Sequence, residues 1–202
     1  MITDYLLTLK RKVLTSYKEH LLAISITLIT FIIMLLEPES SEWLRYQSIE
    51  VSQGQWWRIF TANLCHSNWN HWALNIIGFW IMDWFYQPVL NAKLRAYLLL
   101  FCMIANVFLL HLLLDLYWYV GLSGALHGYL IGGALLSWNS AKKLNLAIVV
   151  VVSIKLIAES LWQINLATEQ LIDANVVEEA HSLGALSAVL FALVIWISKK
   201  NR

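Results

Sequence analysis

The chain has little of what marks a soluble surface or a cross-linked scaffold. Only 13% of its 202 residues are charged, about half the share that is usual in soluble domains. Two cysteines cannot form a disulfide framework. The net charge of +1 implies no strongly basic surface, so nucleic acid is not expected as the main partner.

What the chain has instead is apolar and aromatic. Hydrophobic residues make up 59% of it, and eleven residues are Trp, which favours membrane interfaces. This composition excludes disordered and collagen-like chains and almost any soluble globular domain. We therefore expect the lipid bilayer to be the main solvent.

Six apolar stretches are candidates for membrane spans, which need roughly 20 mostly apolar residues. Pro38 and Pro88 follow the first two stretches, where helices are expected to stop. The sequence predicts an all-α, polytopic bundle of six transmembrane helices in a single domain, residues 1–202. The predicted spans are 21–36, 71–86, 96–114, 123–138, 144–162 and 181–197.

The distribution of Lys and Arg predicts the orientation. If the N-terminus is cytoplasmic, every basic residue except Arg45, Arg58 and Lys155 falls in an inner segment. The outer loops are instead acidic, and Glu159 is counted among their acids. Both termini are then inside, as six spans require. Residues 37–39 (Glu-Pro-Glu) are not an A-x-A cleavage site, so the first span is interpreted as a retained signal anchor. The segment 165–179 is predicted to be a polar, acidic outer loop.

A serine between two glycines opens the fourth span. Ser123 lies between Gly121 and Gly124, in Gly-Leu-Ser-Gly, where it could cap the helix. The free N–H groups of a helix start could also hold the oxyanion formed when a serine attacks a carbonyl. The alternative is a capping serine beside glycines that serve only for packing.

Small residues on two spans suggest a partner for Ser123. Ridges of small residues allow membrane helices to pack at close backbone distance. If the ridges of the fourth and sixth spans face each other, Ser123 and His181 lie at the same outer end, as a nucleophile and its base would. Alternatively the ridges pack for structural reasons and His181 is a polar cap. The ridges are Gly124, Gly128 and Gly132, and Gly184, Ala188 and Ala192.

Further histidines occur near the outer ends of the spans. His71 and Asn75 are four residues apart, so they share a helix face, and both can donate to an oxyanion. His127, one turn after Ser123, competes with His181 as base, although a histidine on a facing helix has better geometry. A metal site of converging histidines is the rival interpretation, but no HExxH or CxxC motif supports it.

Other polar residues have structural interpretations. Asp83, near the inner end of the second span, is predicted to be interfacial. Asn106 and His111 are expected to form interhelical hydrogen bonds. Cys65 and Cys102 are expected at opposite depths, so no disulfide is predicted between them.

Four motifs together resemble those of the rhomboid intramembrane serine proteases. Each motif is weak alone, but the four occur in the family's order and on the predicted helices. They are Trp57-Arg58, His66-x4-His71-x3-Asn75, Gly121-Leu122-Ser123-Gly124 and Ala180-His181-x2-Gly184.

The resemblance implies a catalytic apparatus. Ser123 would be the nucleophile and His181 the base, in a dyad without an acid and with no cofactor. The oxyanion hole would comprise His71, Asn75 and the backbone at Leu122 and Ser123. The site would open to the outer face, below the lipid head groups.

Other motif residues would support the catalytic pair or position the substrate. Trp57 and Arg58 would brace the interfacial loop. His127 stands where many rhomboids have a Tyr that stacks on the base, and Ala188 stands where many have Gly. The supporting or substrate-positioning residues are His127, His66, Gly121, Gly124, Trp57 and Arg58.

Within the family, the chain resembles the rhombosortase branch most. The features that carry this resemblance are the short six-span form and the sequences of residues 66–71 and 121–128. It implies a bacterial inner-membrane protease with its active site on the periplasmic side. Its substrates would be exported proteins with a C-terminal Gly-Gly, an apolar helix and a basic tail. The acyl acceptor would be water or an amine. The competing hypotheses are an inactive rhomboid-like protein that binds client helices and a histidine-rich metal or haem protein.

Overall fold

The computed structural model describes residues 18–162 and 164–201 and is predominantly helical. Two single-turn 3-10 helices, Ala62–Leu64 and Trp138–Ser140, interrupt the connections. In chain order the elements are α1 (Leu21–Leu35), α2 (Glu39–Leu44), β1 (Tyr46–Gln47), α3 (Ser48–Ser52), α4 (Arg58–Thr61), α5 (Trp69–Tyr86), α6 (Ala92–Leu113), β2 (Trp118–Tyr119), α7 (Ser123–Leu136), α8 (Lys142–Trp162), α9 (Leu166–Ile172) and α10 (Glu178–Lys200).

Each predicted span coincides with a helix, but the helices differ in length and polarity. Helices α6, α8 and α10 are long and apolar enough to cross a membrane, and α1 is a shorter apolar helix. Helix α7 has 14 residues, about 21 Å, which is less than the roughly 30 Å of a bilayer core. A helical membrane protein is thus confirmed, whereas the count of six spans stays a prediction.

The central packing is between α7 and α10, the most extensive contact between two described elements. A Cβ atom added to Gly184 would overlap the backbone carbonyl of Gly124. One added to Gly128 would overlap the backbone carbonyl of Gly184 in turn. The backbones therefore approach closely because side chains are absent, and the two ridges face each other.

The connection between α1 and α5 is a folded unit. Strands β1 and β2 pair in antiparallel fashion, with Tyr46 opposite Tyr119, and so join this connection to the segment that precedes α7. The buried Arg58 guanidinium donates hydrogen bonds to the carbonyls of Glu42 and Arg45, each at 2.8 Å. These bonds fix the shape of the connection from within.

Asp83, which the sequence predicts to be interfacial, is buried inside the protein. Its side chain accepts hydrogen bonds from Arg95 Nε and from the Tyr129 hydroxyl, both at 2.9 Å. His20 Nδ1 lies 2.7 Å from its second oxygen. The carboxylate tolerates burial because each oxygen has partners and a buried cation compensates its charge.

Two other polar predictions also need correction. His111 Nδ1 lies 3.0 Å from the Tyr46 hydroxyl, so it contacts the α1–α5 connection and not another long helix. The Asn106 amide lies beside Gly124 and has no hydrogen-bond partner among the residues that the structure describes. Cys65 and Cys102 are both free and buried.

Candidate active site

Ser123 is the first residue of α7 and does not cap it. Leu122 occupies the N-cap position, and no side-chain cap hydrogen bond is present there, which corrects the predicted capping role of Ser123. Gly121 has a φ of 118°, in the left-handed region that favours glycine. Its N–H donates to the Ala62 carbonyl at 3.0 Å. This turn leaves the Ser123 hydroxyl available to another helix.

The available hydroxyl faces His181. The distance between Ser123 Oγ and His181 Nε2 is 3.1 Å. His181 lies in the first turns of α10 and is almost fully buried. The close packing of α7 on α10 therefore brings the two candidate catalytic residues together, although 58 residues separate them.

His127 contacts the same pair without occupying the position of the base. Its ring stacks on that of His181, with centroids 4.1 Å apart and planes 23° apart. Its Nδ1 donates to the Ser123 backbone carbonyl at 2.8 Å. The competing assignment of His127 as base is less favourable in this geometry, because His181 and not His127 hydrogen-bonds the hydroxyl.

Glu159, which the sequence analysis placed among the outer-loop acids, lies directly behind His181. Its Oε2 is 3.0 Å from His181 Nδ1, and its other oxygen pairs with Lys155. The carboxylate is buried, with a residue exposure of 1%. Lys155 and Glu159 are four residues apart in the fifth predicted span, and residues at this spacing can form an ion pair on one helix face. This spacing is the signal in the sequence that could have drawn attention to Glu159.

His71 and Asn75 line the cavity on the other side of Ser123. Asn75 is 5% exposed, and its Nδ2 donor has no partner among the described residues. Leaving a buried donor unpaired costs about 1–3 kcal/mol unless an acceptor arrives. The Leu122 and Ser123 N–H groups are at the helix start, where N–H groups lack intrahelical acceptors. This is the donor arrangement that an oxyanion needs.

The geometry around His71 explains two other motif residues. A Cβ on Gly121 would lie 2.8 Å from His71 Nε2, so glycine leaves room for that ring. The His66 ring packs edge-on against His71, with centroids 5.0 Å apart. Burial, with a contribution from His71, lowers the pKa of His66 to about 3. A neutral His66 therefore supports His71 from outside the cavity.

Trp57 and Arg58 do not reach the cavity. Trp57 Nε1 donates to the Trp43 carbonyl at 3.1 Å, and Arg58 Nε donates to Gln55 at 2.8 Å. With the two carbonyl bonds already described, these contacts tie the α1–α5 connection together. Trp57 and Arg58 would therefore affect catalysis indirectly, by maintaining the shape of that connection.

A cavity of about 430 Å³ adjoins Ser123, within the range typical of ligand sites. The predicted outer loop 165–179 contains α9, which lies over this cavity. Ser67 Oγ donates to the Ile172 carbonyl at 2.8 Å, and Asn70 Nδ2 donates to the Leu171 carbonyl at 3.1 Å. The start of α5 therefore holds α9 in place.

Ligand atoms of His127, Glu159 and His181 all lie within 4.8 Å of one another, as a metal site requires. The ring geometry is unfavourable, however. Imidazole lone pairs lie in the ring plane, and two stacked rings cannot direct them at one ion. Lys155 also pairs with the carboxylate. The arrangement fits a hydrogen-bonded catalytic group better than a metal centre.

The comparison with protein families agrees with this geometry. A family model described as Rhomboid domain matches residues 53–198, which contain all four motifs. The chain belongs to the rhomboid family. Rhomboids are generally intramembrane serine proteases. The search of curated proteins found no match to this chain.

Proposed function

We propose that this rhomboid is an intramembrane serine endopeptidase whose nucleophile is Ser123 and whose base is His181. The observation that carries the proposal is the 3.1 Å contact between His181 Nε2 and Ser123 Oγ beside the cavity. A nucleophile within hydrogen-bond distance of its base is the central requirement of this chemistry.

In the proposed reaction, the Ser123 oxygen attacks a substrate peptide carbonyl while His181 Nε2 takes its proton. The resulting oxyanion faces His71, Asn75 and the backbone N–H groups of Leu122 and Ser123. His181 then gives the proton to the leaving amine as the peptide C–N bond breaks. Water, or an amine acceptor, resolves the acyl-enzyme.

The proposal includes six membrane spans, with both termini in the cytoplasm of a bacterial cell and Ser123 toward the periplasmic side of the inner membrane. Lys142 and Lys143 begin α8, whose opposite end carries Glu159 beside His181. Lys199 and Lys200 end α10, whose first turns carry His181. Basic residues at that end favour a cytoplasmic location.

The proposed substrates, of the rhombosortase type, are membrane-anchored proteins with Gly-Gly before a C-terminal apolar helix and a basic tail. A substrate helix must unwind to present a peptide carbonyl to Ser123. Glycine is about 1 kcal/mol less favourable in a helix than alanine, so Gly-Gly lowers the unwinding cost.

Labelling with a fluorophosphonate probe tests the nucleophile. The probe phosphonylates activated serines, so we expect one adduct, mapped by mass spectrometry to the peptide that contains Ser123. Heat-unfolded protein is the control and should remain unlabelled. Labelling of a different serine, or of none while the protein cleaves substrate, would contradict the assignment.

Cleavage in proteoliposomes tests the substrate class. A substrate carrying Gly-Gly should be cut with a kcat/KM about 10-fold above the same substrate carrying Leu-Leu, because two leucines stabilise the helix by roughly 1.5 kcal/mol. Equal rates would overturn the Gly-Gly preference and leave the protease intact. Binding of both substrates with no cleavage, and with Ser123 unlabelled, would favour an inactive helix-binding protein.

A further inference from the structure

We infer that Glu159 is a positioning residue that fixes the ring and the proton of His181, so that the catalytic pair acts as a Ser-His-Glu relay. This inference rests on the proposed protease function, and it replaces the dyad without an acid that the family resemblance implied.

The donors and acceptors around His181 fix the position of its proton. A carboxylate can only accept hydrogen bonds, so His181 Nδ1 must donate across its 3.0 Å contact with Glu159 Oε2. A neutral His181 then carries its proton on Nδ1. Its Nε2 presents a lone pair to the Ser123 hydroxyl at 3.1 Å. Glu159 thereby selects the tautomer that can act as a base.

Glu159 also compensates the positive charge that His181 acquires during the reaction. When Ser123 attacks a carbonyl, its O–H bond breaks, its oxygen bonds to the carbonyl carbon, and the proton moves to His181 Nε2. The cation formed is almost fully buried, and an unpaired buried charge is costly. The Glu159 carboxylate compensates that charge and remains unprotonated. His181 later passes the proton to the nitrogen of the leaving amine.

Both oxygens of the Glu159 carboxylate are held by neighbouring groups. Glu159 and Lys155 lie one turn apart on α8, and the Lys155 ammonium pairs with the Glu159 oxygen that does not face His181. The Lys155 side chain is partly exposed and the Glu159 side chain is buried. The pair therefore supplies an ionised carboxylate at the edge of the cavity, oriented by contacts to both of its oxygens.

A purely structural interpretation competes with this one. Glu159 could serve to neutralise Lys155 in apolar surroundings, with the contact to His181 having no catalytic effect. In that case loss of Glu159 would reduce the amount of folded protein but would not change the reactivity of each folded molecule. The rate per folded molecule therefore distinguishes the two interpretations.

The test is Glu159→Gln in the full chain. Glutamine has the same shape but no charge, and its amide can donate to Nδ1, which places the histidine proton on Nε2. We expect the fluorophosphonate labelling rate of Ser123 and the kcat of cleavage to fall between about 10²- and 10⁴-fold, with KM within about twofold. Glu159→Asp, which keeps the charge but withdraws the carboxylate by one methylene, should recover about 10-fold of that loss and remain slower than wild type.

Glu179→Gln is the matched control. It makes the same chemical change on the same helix as His181, but at an exposed residue, and should leave labelling unchanged. Normal labelling of folded Glu159→Gln would overturn the inference. If Glu159→Gln does not fold, Glu159→Asp is the deciding variant, because it withdraws the carboxylate by one methylene. Labelling of Glu159→Asp at the wild-type rate would also overturn the inference.

The same experiment separates the two proposals. Unlabelled, folded wild-type protein would contradict the proposed function itself. Labelled wild type together with equally labelled Glu159→Gln would leave the protease in place and remove only the role of Glu159.

Discussion

Replacing Ser123 with alanine should lower the kcat for cleavage of a membrane-anchored substrate by at least about 10³-fold. The loss is large because the nucleophile itself is removed, and the oxyanion donors and substrate binding alone sustain only a small residual rate. His181→Ala should have a similar effect, because the hydroxyl then lacks a base within 3.1 Å. The measurement is single-turnover cleavage in proteoliposomes at saturating enzyme.

The double variant makes this prediction more specific. Residues that act as one unit show strongly non-additive effects, so Ser123→Ala with His181→Ala should be no slower than Ser123→Ala alone. Ser187→Ala is the control: Ser187 is a buried serine on α10 that donates to the Leu183 carbonyl, and its loss should leave kcat within about twofold. Cleavage by Ser123→Ala at a tenth of the wild-type rate would contradict the assignment.

The second large effect is expected at Gly184. Alanine is favoured over glycine in a helix by about 1 kcal/mol, so propensity alone predicts that Gly184→Ala is stabilising. The added Cβ, however, would overlap the Gly124 carbonyl, which is backbone and cannot rotate away. Overpacking of this kind costs typically about 1–3 kcal/mol, occasionally more. We expect the cost of overpacking to exceed the gain in helix propensity, and the clash to move α7 away from α10.

The consequence should be seen in both stability and chemistry. Thermal unfolding in detergent should show Gly184→Ala to be less stable than wild type, and labelling of Ser123 should fall at least about 10-fold because a shift of about 1 Å can cost 10²-fold in rate. Gly78→Ala is the matched control, since a Cβ there meets only a Leu126 methyl at 4.0 Å. It should be neutral or stabilising. A stabilised, fully active Gly184→Ala would show that the two helices are not tightly apposed.

The positions of the long helices could be predicted from the sequence, because apolar stretches of sufficient length have few alternatives in a bilayer. The boundaries differ by up to four residues, as for α6, which begins at Ala92 where 96 was expected. The short connecting elements were not predicted. Helices α2, α3 and α9 are stabilised by contacts to distant segments, such as the bonds from Ser67 and Asn70 to the carbonyls of α9.

Polar residues were predicted less well than the helices, for one physical reason. A charged residue near the end of an apolar stretch is compatible with either exposure at the interface or burial with partners. Asp83 was predicted to be interfacial and Glu159 was counted among the outer-loop acids, yet both are buried inside the protein. Their partners Arg95 and His181 lie on other helices, whereas the Lys155–Glu159 pair is local in sequence and reveals neither of these contacts.

The sequence by itself determined that the chain is a helical membrane protein of the rhomboid type. It also marked Ser123 and His181 as a candidate pair, because matching ridges of small residues imply helices in close contact. Only the tertiary structure decided which groups surround that pair. The stacking of His127 on His181 and the Glu159 carboxylate behind it depend on how α7, α8 and α10 are rotated about their axes. That rotation is set by packing across the whole bundle, which no segment of the sequence contains.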